Sequence, residues 1–146
     1  EAFPGKLEKR LKISLTNQKR KRMIIRIDAK CVDGEGMLQP LEGVIDKDLA
    51  SAMIGARVKA DELYILTDVP YIYKDFRKPT QEVLEFLDYA DTMKYLEAGT
   101  FGEGSMAPKI RACLSFVEKG GQKAVITEAT KLEDRRYGSK ITMHYD

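Results

Sequence analysis

Lys109 lies in a sequence context that is typical of an anion-binding site. A loop containing several glycines, residues 99–104, runs into the segment SMAPK, residues 105–109, and helical apolar spacing follows. Pro108 fits only the first turn of such a helix, and Ser105 is a good cap for it. Lys109 then lies at a helix start, where free N–H groups and the helix dipole attract phosphate. A solvated lysine at an ordinary loop-to-helix junction would leave the same pattern.

A second lysine, Lys47, lies between two acids, Asp46 and Asp48. A helical apolar stripe follows, at Leu49, Ala52, Met53, Ala56 and Ala60. Capping by Asp46 and compensation of the helix dipole explain the acids, but a lysine is unfavourable at that end of a helix. Lys47 is therefore best explained if it meets an anion.

Thr67 and Asp68 lie at the end of a strand predicted over residues 62–69. The apolar run of this strand suits a buried position in a parallel sheet. In open α/β sheets ligands bind at the carboxyl ends of strands, so these two side chains are candidates for ligand contact. Tyr71 to Tyr73 follow as a short extended piece.

The other elements must position these side chains. Strands are predicted over 23–28, 123–127 and 140–145, a short helix over 92–98, turns at 33–36 and 78–79, and a polar loop over 131–138. The helix that carries Lys109 has its apolar stripe at Ile110, Cys113, Leu114 and Val117 and ends at Lys119 and Gly120-Gly121. Residues 82–88 fit either a strand or a helix. The alternation of strands and helices predicts right-handed crossovers and a mostly parallel sheet.

Composition limits the class of protein. The chain has 146 residues, 43% hydrophobic and 33% charged, which suits one soluble globular domain. It has no apolar run of membrane-spanning length and no secretory apolar region. Two cysteines, Cys31 and Cys113, form no metal or disulfide pattern, which favours a reduced, cytoplasmic setting. One histidine, His144, cannot form a metal cluster alone and is expected to be solvated or at a strand edge.

The basic residues are concentrated at one end. Residues 1–30 hold ten Lys or Arg against three acids, whereas the whole chain has a net charge of +2. The run Lys19-Arg20-Lys21-Arg22 resembles a nucleic-acid patch, but no aromatic residues interleave to stack bases. A solvated tail is the simpler interpretation. The alternative function is a non-catalytic module that binds nucleic acid or a partner through this basic arm.

Several stretches, taken in order, resemble the C-terminal half of carbamate kinase, within the amino-acid kinase superfamily. VIDKDLAS (44–51) is followed by ILTDV (65–69) with YIY behind it, then GSMAPK (104–109), then FVEKGG (116–121) with AVIT (124–127). The ending LEDRRYGSKIT (132–142) resembles the family's last turn and strand. The similarity covers residues 43–142, and the ordered set of motifs is specific although no single motif would be.

The resemblance implies a three-layer α/β/α sandwich with a mainly parallel sheet, in which this half binds ATP or ADP. The family transfers a phosphoryl group reversibly between ATP and carbamate, giving carbamoyl phosphate and ADP, with Mg²⁺. Its usual role is ATP formation in arginine fermentation, and its members are cytoplasmic homodimers. Acetylglutamate- and aspartate-kinase-like relatives share the nucleotide half, but the residues at positions 45–48 and 104–106 favour carbamate as the acceptor.

The resemblance also assigns roles to individual residues. Lys109 matches the lysine that reaches the nucleotide phosphates, Lys47 a neighbouring phosphate-contacting lysine, and Asp48 the aspartate that organises the catalytic lysines. The remaining nucleotide contacts fall on Thr67 and Asp68 near the nucleoside, Tyr71 and Tyr73 at the adenine pocket, and Met106 beside the nucleotide. No residue is assigned as a metal ligand. The chain has no G-x-x-x-x-G-K-[ST], so it is not a P-loop enzyme.

Residues 1–40 do not match the family's N-terminal half, which supplies glycine-rich loops for carbamate and the transferred phosphoryl group. We therefore predict a basic segment over 1–40 that is unlike the family, and an ATP-binding half over 41–146. Such a fragment or split product is expected to be a weakly stable monomer or a dimer. We expect catalysis only if the acceptor half is supplied.

Overall fold

A computed structural model describes residues 30–32, 35–40, 46–102 and 104–144. The chain divides into two compact units, residues 1–45 and 46–146. In the first unit β1 (Lys30–Val32) pairs antiparallel with β2 (Leu38–Pro40), and Gly36 between them has a φ of +83°. The strand predicted over 23–28 and the basic run over 19–22 lie outside the described residues.

The second unit combines helices with strands, as the sequence predicts, but several strands follow one another with no helix between them. Its elements are α1 (Lys47–Arg57), β3 (Glu62–Thr67), β4 (Ile72–Lys74), β5 (Glu82–Leu84), β6 (Phe86–Asp88), α2 (Tyr89–Glu97), α3 (Met106–Glu118), β7 (Lys123–Glu128), a 3₁₀ turn (Ala129–Lys131) and β8 (Ser139–Thr142). Four strands form one sheet in the order β3-β7-β8-β6. β3 is parallel to β7 and β6 is parallel to β8, while β7 and β8 are antiparallel. The predicted α/β fold with a mainly parallel sheet is confirmed.

A separate antiparallel hairpin, β4 with β5, is tied to the sheet by one buried hydroxyl. The Oγ of Ser139 on β8 accepts a hydrogen bond from the N–H of Ile72 at 2.7 Å and donates one to the carbonyl of Leu84. Because Ile72 and Leu84 are paired across the hairpin, a single side chain holds both of its strands.

The helix α3 is the centre of the core. Its predicted apolar stripe is buried throughout, together with Ala107, Ala112 and Phe116. Phe116 is fully buried, and its ring lies where a Cβ at Gly55 of α1 or at Gly121 would stand, within 3.0 Å and 2.2 Å respectively. These two glycines therefore permit the close packing of α1 and β7 around α3.

Two predicted apolar surfaces differ from those observed. In α1 the buried residues are Ala50, Ala52 and Gly55, whereas Leu49 is 45% exposed. The face that packs on α3 is made of small residues, so it is rotated away from the larger side chain. β3 was expected to be buried in the sheet, but within the described residues it has one neighbour, β7, and Leu66 is 44% exposed.

Other boundaries are set by local hydrogen bonds. Residues 82–88 form two short strands, β5 and β6. α2 begins three residues before the prediction because the carboxylate of Asp88 caps it, accepting from the N–H of Asp91 at 2.7 Å. β8 ends at Thr142, short of the predicted 145. Within the described ranges, no helix has the length and apolar character needed to cross a membrane.

Candidate functional site

A cleft of about 280 Å³ opens at the carboxyl end of β3. It is lined by Thr67, Asp68, Val69, Tyr73, Phe76, Arg77, Thr100, Phe101, Gly102, Ser105, Met106 and Lys109. These residues come from the end of β3, from the β4–β5 hairpin, and from the segment that leads into α3. The location agrees with the rule that ligands of open α/β sheets bind beyond the strand ends.

The start of α3 supplies one side of the cleft, which we call the helical wall (Ser105, Met106, Lys109). Ser105 is the N-cap residue, as predicted, but its side chain makes no capping hydrogen bond. Pro108 occupies the first turn, as its missing N–H requires. The wall therefore presents a hydroxyl, a thioether and an ammonium group beside the positive end of the helix dipole.

Lys109 is held by an acid from the neighbouring helix. Its Nζ donates to Oδ2 of Asp48 at 2.8 Å, and the two side chains are only 15% and 14% exposed. Asp48 is fixed in turn because Asp46 caps α1, accepting from the N–H groups of Asp48 and Leu49 at 2.9 Å each. The packing of α1 on α3 thus joins the two predicted residues into a largely buried ion pair.

Cys113 lies one turn beyond Lys109 on α3 and is fully buried. Burial raises the pKa of its thiol, and the nearby carboxylate of Asp48 raises it further. Since the thiolate is the reactive form, this cysteine acts as a small core residue and not as a nucleophile.

The structure brings most of the predicted residues together. Thr67, Asp68, Tyr73, Met106 and Lys109 all line the cleft, and Asp48 reaches it through its bond to Lys109. At the strand end Oγ1 of Thr67 donates to Oδ1 of Asp68 at 3.0 Å, which fixes the direction of the carboxylate.

Three predicted residues do not line this cleft: Asp48, which meets it only through Lys109, and also Lys47 and Tyr71. Lys47 is exposed at the first position of α1. The ring of Tyr71 instead packs against that of Tyr137, with centroids 5.0 Å apart. Tyr137 in turn donates a hydrogen bond to Glu128 at 3.1 Å, so Tyr71 helps to secure the loop that precedes β8.

The side of the cleft formed by the β4–β5 hairpin was largely missed by sequence reasoning. We call it the aromatic wall (Tyr73, Phe76, Arg77). The rings of Tyr73 and Phe76 are 5.5 Å apart at 32°, and the guanidinium carbon of Arg77 lies 5.2 Å from the Phe76 centroid. Burial raises the pKa of the Tyr73 phenol, so this group stays neutral. Only Tyr73 was predicted.

The turn behind this wall has an unusual backbone. Asp75 and Arg77 adopt positive φ angles of +51° and +63°, which residues with a Cβ rarely do. Asp75 stabilises the turn by accepting from the Nζ of Lys78 at 2.9 Å and from the Oγ1 of Thr80 at 3.1 Å. The N–H of Arg77 donates to Oε1 of Gln81 at 2.8 Å. The one visible signal was the turn-forming pair Lys78-Pro79.

The chemistry of the cleft suits a phosphorylated ligand with a flat, apolar part. An ammonium group at a helix start can hold phosphate, while stacked rings can hold a planar group. Among the residues that the structure describes, no cluster of three or more His, Cys, Asp or Glu could hold a metal ion by itself. Mg²⁺, however, is commonly bound by one or two carboxylates together with substrate phosphates, so Asp68 fits such a shared site.

Comparison with known proteins agrees with this chemistry. The sequence model of the amino acid kinase family matches residues 8–128. A carbamate kinase from Thermoplasma acidophilum is 47% identical over 87 residues, covering 60% of this chain and 28% of that protein. One from Halobacterium salinarum is 42% identical over 112 residues, covering 75% and 36%. The chain thus spans about a third of the length of these relatives.

A solved structure gives the same result for the fold. The carbamate kinase from Giardia lamblia bound to AMP-PNP superimposes with a TM-score of 0.75 at 29% identity, covering 79% of this chain and 41% of that one. Its fold confirms the predicted α/β/α class. By sequence and by fold, the chain belongs to the amino acid kinase family and is similar to the carbamate kinases within it.

Proposed function

We propose that the cleft binds the nucleotide of a carbamate kinase-type phosphoryl transfer between ATP and carbamate, which gives carbamoyl phosphate and ADP. The observation that carries this proposal is the Lys109–Asp48 ion pair beside a cleft that five predicted nucleotide contacts line. The Giardia relative is described as bound to AMP-PNP, an ATP analogue, which supports a nucleotide as the ligand.

Each wall of the cleft takes one part of the nucleotide in this proposal. The phosphates lie at the helical wall, where Lys109 contacts them and Asp48 keeps its ammonium group in position. The base lies at the aromatic wall beside Tyr73, and the ribose lies near Thr67 and Asp68 at the end of β3. Lys47, exposed at the start of α1, approaches the phosphates from the neighbouring helix, and Tyr71 supports the pocket of the base from behind.

The catalytic contribution of these residues is positioning and charge. Phosphoryl transfer needs little covalent help from protein, but it needs cations where negative charge collects on the moving group. Lysine suits this task as a compact charge on a flexible stem. Asp48 restricts that flexibility, because a 2.8 Å bond fixes the direction from which Lys109 reaches the ligand.

Mg²⁺, when bound with the nucleotide, would neutralise phosphate charge, and Asp68 is the carboxylate in the cleft that could share it. Residues 41–146 constitute the ATP-binding half in this proposal, and carbamate is held by residues outside this half. A cytoplasmic homodimer acting in arginine metabolism agrees with the family resemblance.

Isothermal titration of the full chain with ADP and ATP, with and without Mg²⁺, tests the proposal. We expect saturable binding that Lys109→Ala weakens by more than a hundredfold. Lys119→Ala is the matched control, because this lysine caps the other end of α3 and is exposed. Absence of heat with both nucleotides, or equal losses in the two variants, would reject the site.

Turnover is tested separately with carbamoyl phosphate and ADP, by measuring the ATP formed. If residues 41–146 form only the ATP-binding half, the chain alone gives no ATP although it binds ADP. ATP formation by these 146 residues alone would contradict the assignment of residues 41–146 to ATP binding only.

A further inference from the structure

We infer that Arg77 positions the nucleobase, by extending the aromatic wall with a guanidinium plane on which a purine can stack. The inference rests on the proposed function and adds to it a residue that nothing in the sequence pattern indicated. It also gives the base site a character: stacking in place of hydrogen-bonded readout, so that adenine and guanine nucleotides bind with similar affinity.

The first support is the geometry of the wall. Tyr73, Phe76 and Arg77 form a continuous series, with 5.5 Å between the two rings and 5.2 Å from the second ring to the guanidinium carbon. All three residues line the same cleft. Arginine guanidinium planes and aromatic rings are the two protein surfaces on which bases stack, and either works with any base because every base has a π-face.

The second support is the charge of the site. Lys109, the other basic residue that lines the cleft, is paired with Asp48 and is assigned to the phosphates in the proposed function. Within the described part of the chain, the guanidinium of Arg77 is in no ion pair and its contact is the face of Phe76. A cation placed on a ring and left without a carboxylate is available to a ligand that enters the cleft.

The third support is the cost of placing Arg77 there. Its φ of +63° is a conformation that glycine adopts freely and arginine does not. The turn maintains it through the bond from the Arg77 N–H to Gln81 and through the bonds that converge on Asp75. A glycine would give the same turn with less strain, so we attribute the presence of arginine at this position to a function of its side chain.

The test separates binding of the base from binding of the phosphates. ADP affinity is measured by titration, and the affinity of inorganic tripolyphosphate, which has no base, by competition with ADP. We expect Arg77→Gly to weaken ADP about tenfold, to leave tripolyphosphate within twofold, and to raise the melting temperature because the strain is relieved. Arg77→Lys, which retains a cation for the ring, should lose about threefold. Wild-type affinities for ADP and GDP should agree within about threefold.

Lys59→Gly is the matched control. Lys59 is also a basic residue at positive φ, +55°, but it follows α1 and does not line the cleft. This variant should raise the melting temperature and leave ADP affinity unchanged.

Three results would overturn the inference: unchanged ADP affinity in Arg77→Gly, an equal loss for ADP and tripolyphosphate, or strong preference of the wild type for one purine. Failure of the wild-type chain to bind ADP at all would instead reject the proposed function, and this inference with it. If tripolyphosphate does not displace ADP even from the wild type, the ADP affinities of Arg77→Gly, Arg77→Lys and Lys59→Gly decide the question.

Discussion

The two walls of the cleft are stabilised in opposite ways. The helical wall is the first turn of α3, whose next residues form the core, and its lysine is in a largely buried ion pair. The aromatic wall lies on a three-residue strand and a strained turn, and Phe76 is 47% exposed. Core packing therefore fixes the proposed phosphate side, whereas local polar bonds fix the proposed base side. We therefore expect substitutions in the helical wall to lower both stability and ADP affinity. Substitutions in the aromatic wall should lower ADP affinity without a comparable loss of stability.

The largest effect is expected at the helical wall. Lys109→Ala leaves the 14%-exposed carboxylate of Asp48 without its partner, which should cost about 3 kcal/mol of unfolding free energy. Urea denaturation measures this cost, and titration with ADP measures the accompanying loss of binding. Asp48→Asn should cost a similar amount.

The double variant Lys109→Ala/Asp48→Asn is the control for this pair. Because neither charge then remains uncompensated, it should be more stable than the sum of the single changes predicts. Strict additivity would show that the pair does not couple α1 to α3.

The next effect concerns the support of the aromatic wall. Ser139→Ala removes the hydroxyl that holds both strands of the hairpin and leaves the buried N–H of Ile72 unpaired, so we expect a loss of about 2 kcal/mol. Thr127→Val is its partner in the comparison. The hydroxyl of Thr127 is buried with no hydrogen-bond partner among the described residues, so this change should be neutral or stabilising. Equal losses in thermal denaturation would contradict the proposed support by Ser139.

A third effect is expected on affinity alone. Tyr73→Leu keeps an apolar side chain but removes a stacking surface, and should weaken ADP binding about tenfold. Tyr71→Leu should change it no more than threefold, because this ring packs on Tyr137 and not on the cleft. Titration of both variants decides whether Tyr71 contacts the base directly. A larger loss in Tyr71→Leu would move the base site away from the aromatic wall.

The smallest effect lies at the other end of β3, outside both walls. The Tyr64 hydroxyl, followed by the Lys123 ammonium, holds the pKa of Glu62 below its usual value of 4.5. A lowered pKa in the folded state adds stability that is complete above about pH 4.5 and is lost as the pH falls through the folded value. Glu62→Gln should therefore cost about 0.5 kcal/mol at neutral pH and flatten the acid side of the stability profile.

Tyr64→Phe, which removes the largest cause of the shift, should flatten that profile in part. Denaturation midpoints measured from pH 3 to pH 7 would show both changes. An unchanged acid side in Glu62→Gln would contradict the interpretation.

The helical wall could be predicted from the sequence because the apolar residues of its helix recur at helical spacing. The stripe from Ile110 to Val117 is spaced for burial, and Pro108 fixes where the helix begins. Periodicity failed at Leu49, where the packing partner, α3, selected a smaller face of α1. The aromatic wall could not be predicted in this way, since the φ of Arg77 depends on Asp75 and Gln81 together. The Lys109–Asp48 bond spans 61 positions, and family resemblance, not spacing, pointed to it.

Because Cys113 is buried next to the ion pair, its chemical reactivity can report how often α3 moves away from the core. Its thiol has no path to solvent while α3 is seated, so a water-borne alkylating reagent can reach it only when the helix lifts away. In a Cys31→Ser background, the labelling rate reports how often that happens. A nucleotide that contacts both the start of α3 and the end of β3 would slow the alkylation of Cys113. Occupancy of the cleft could therefore be followed without any assay of turnover.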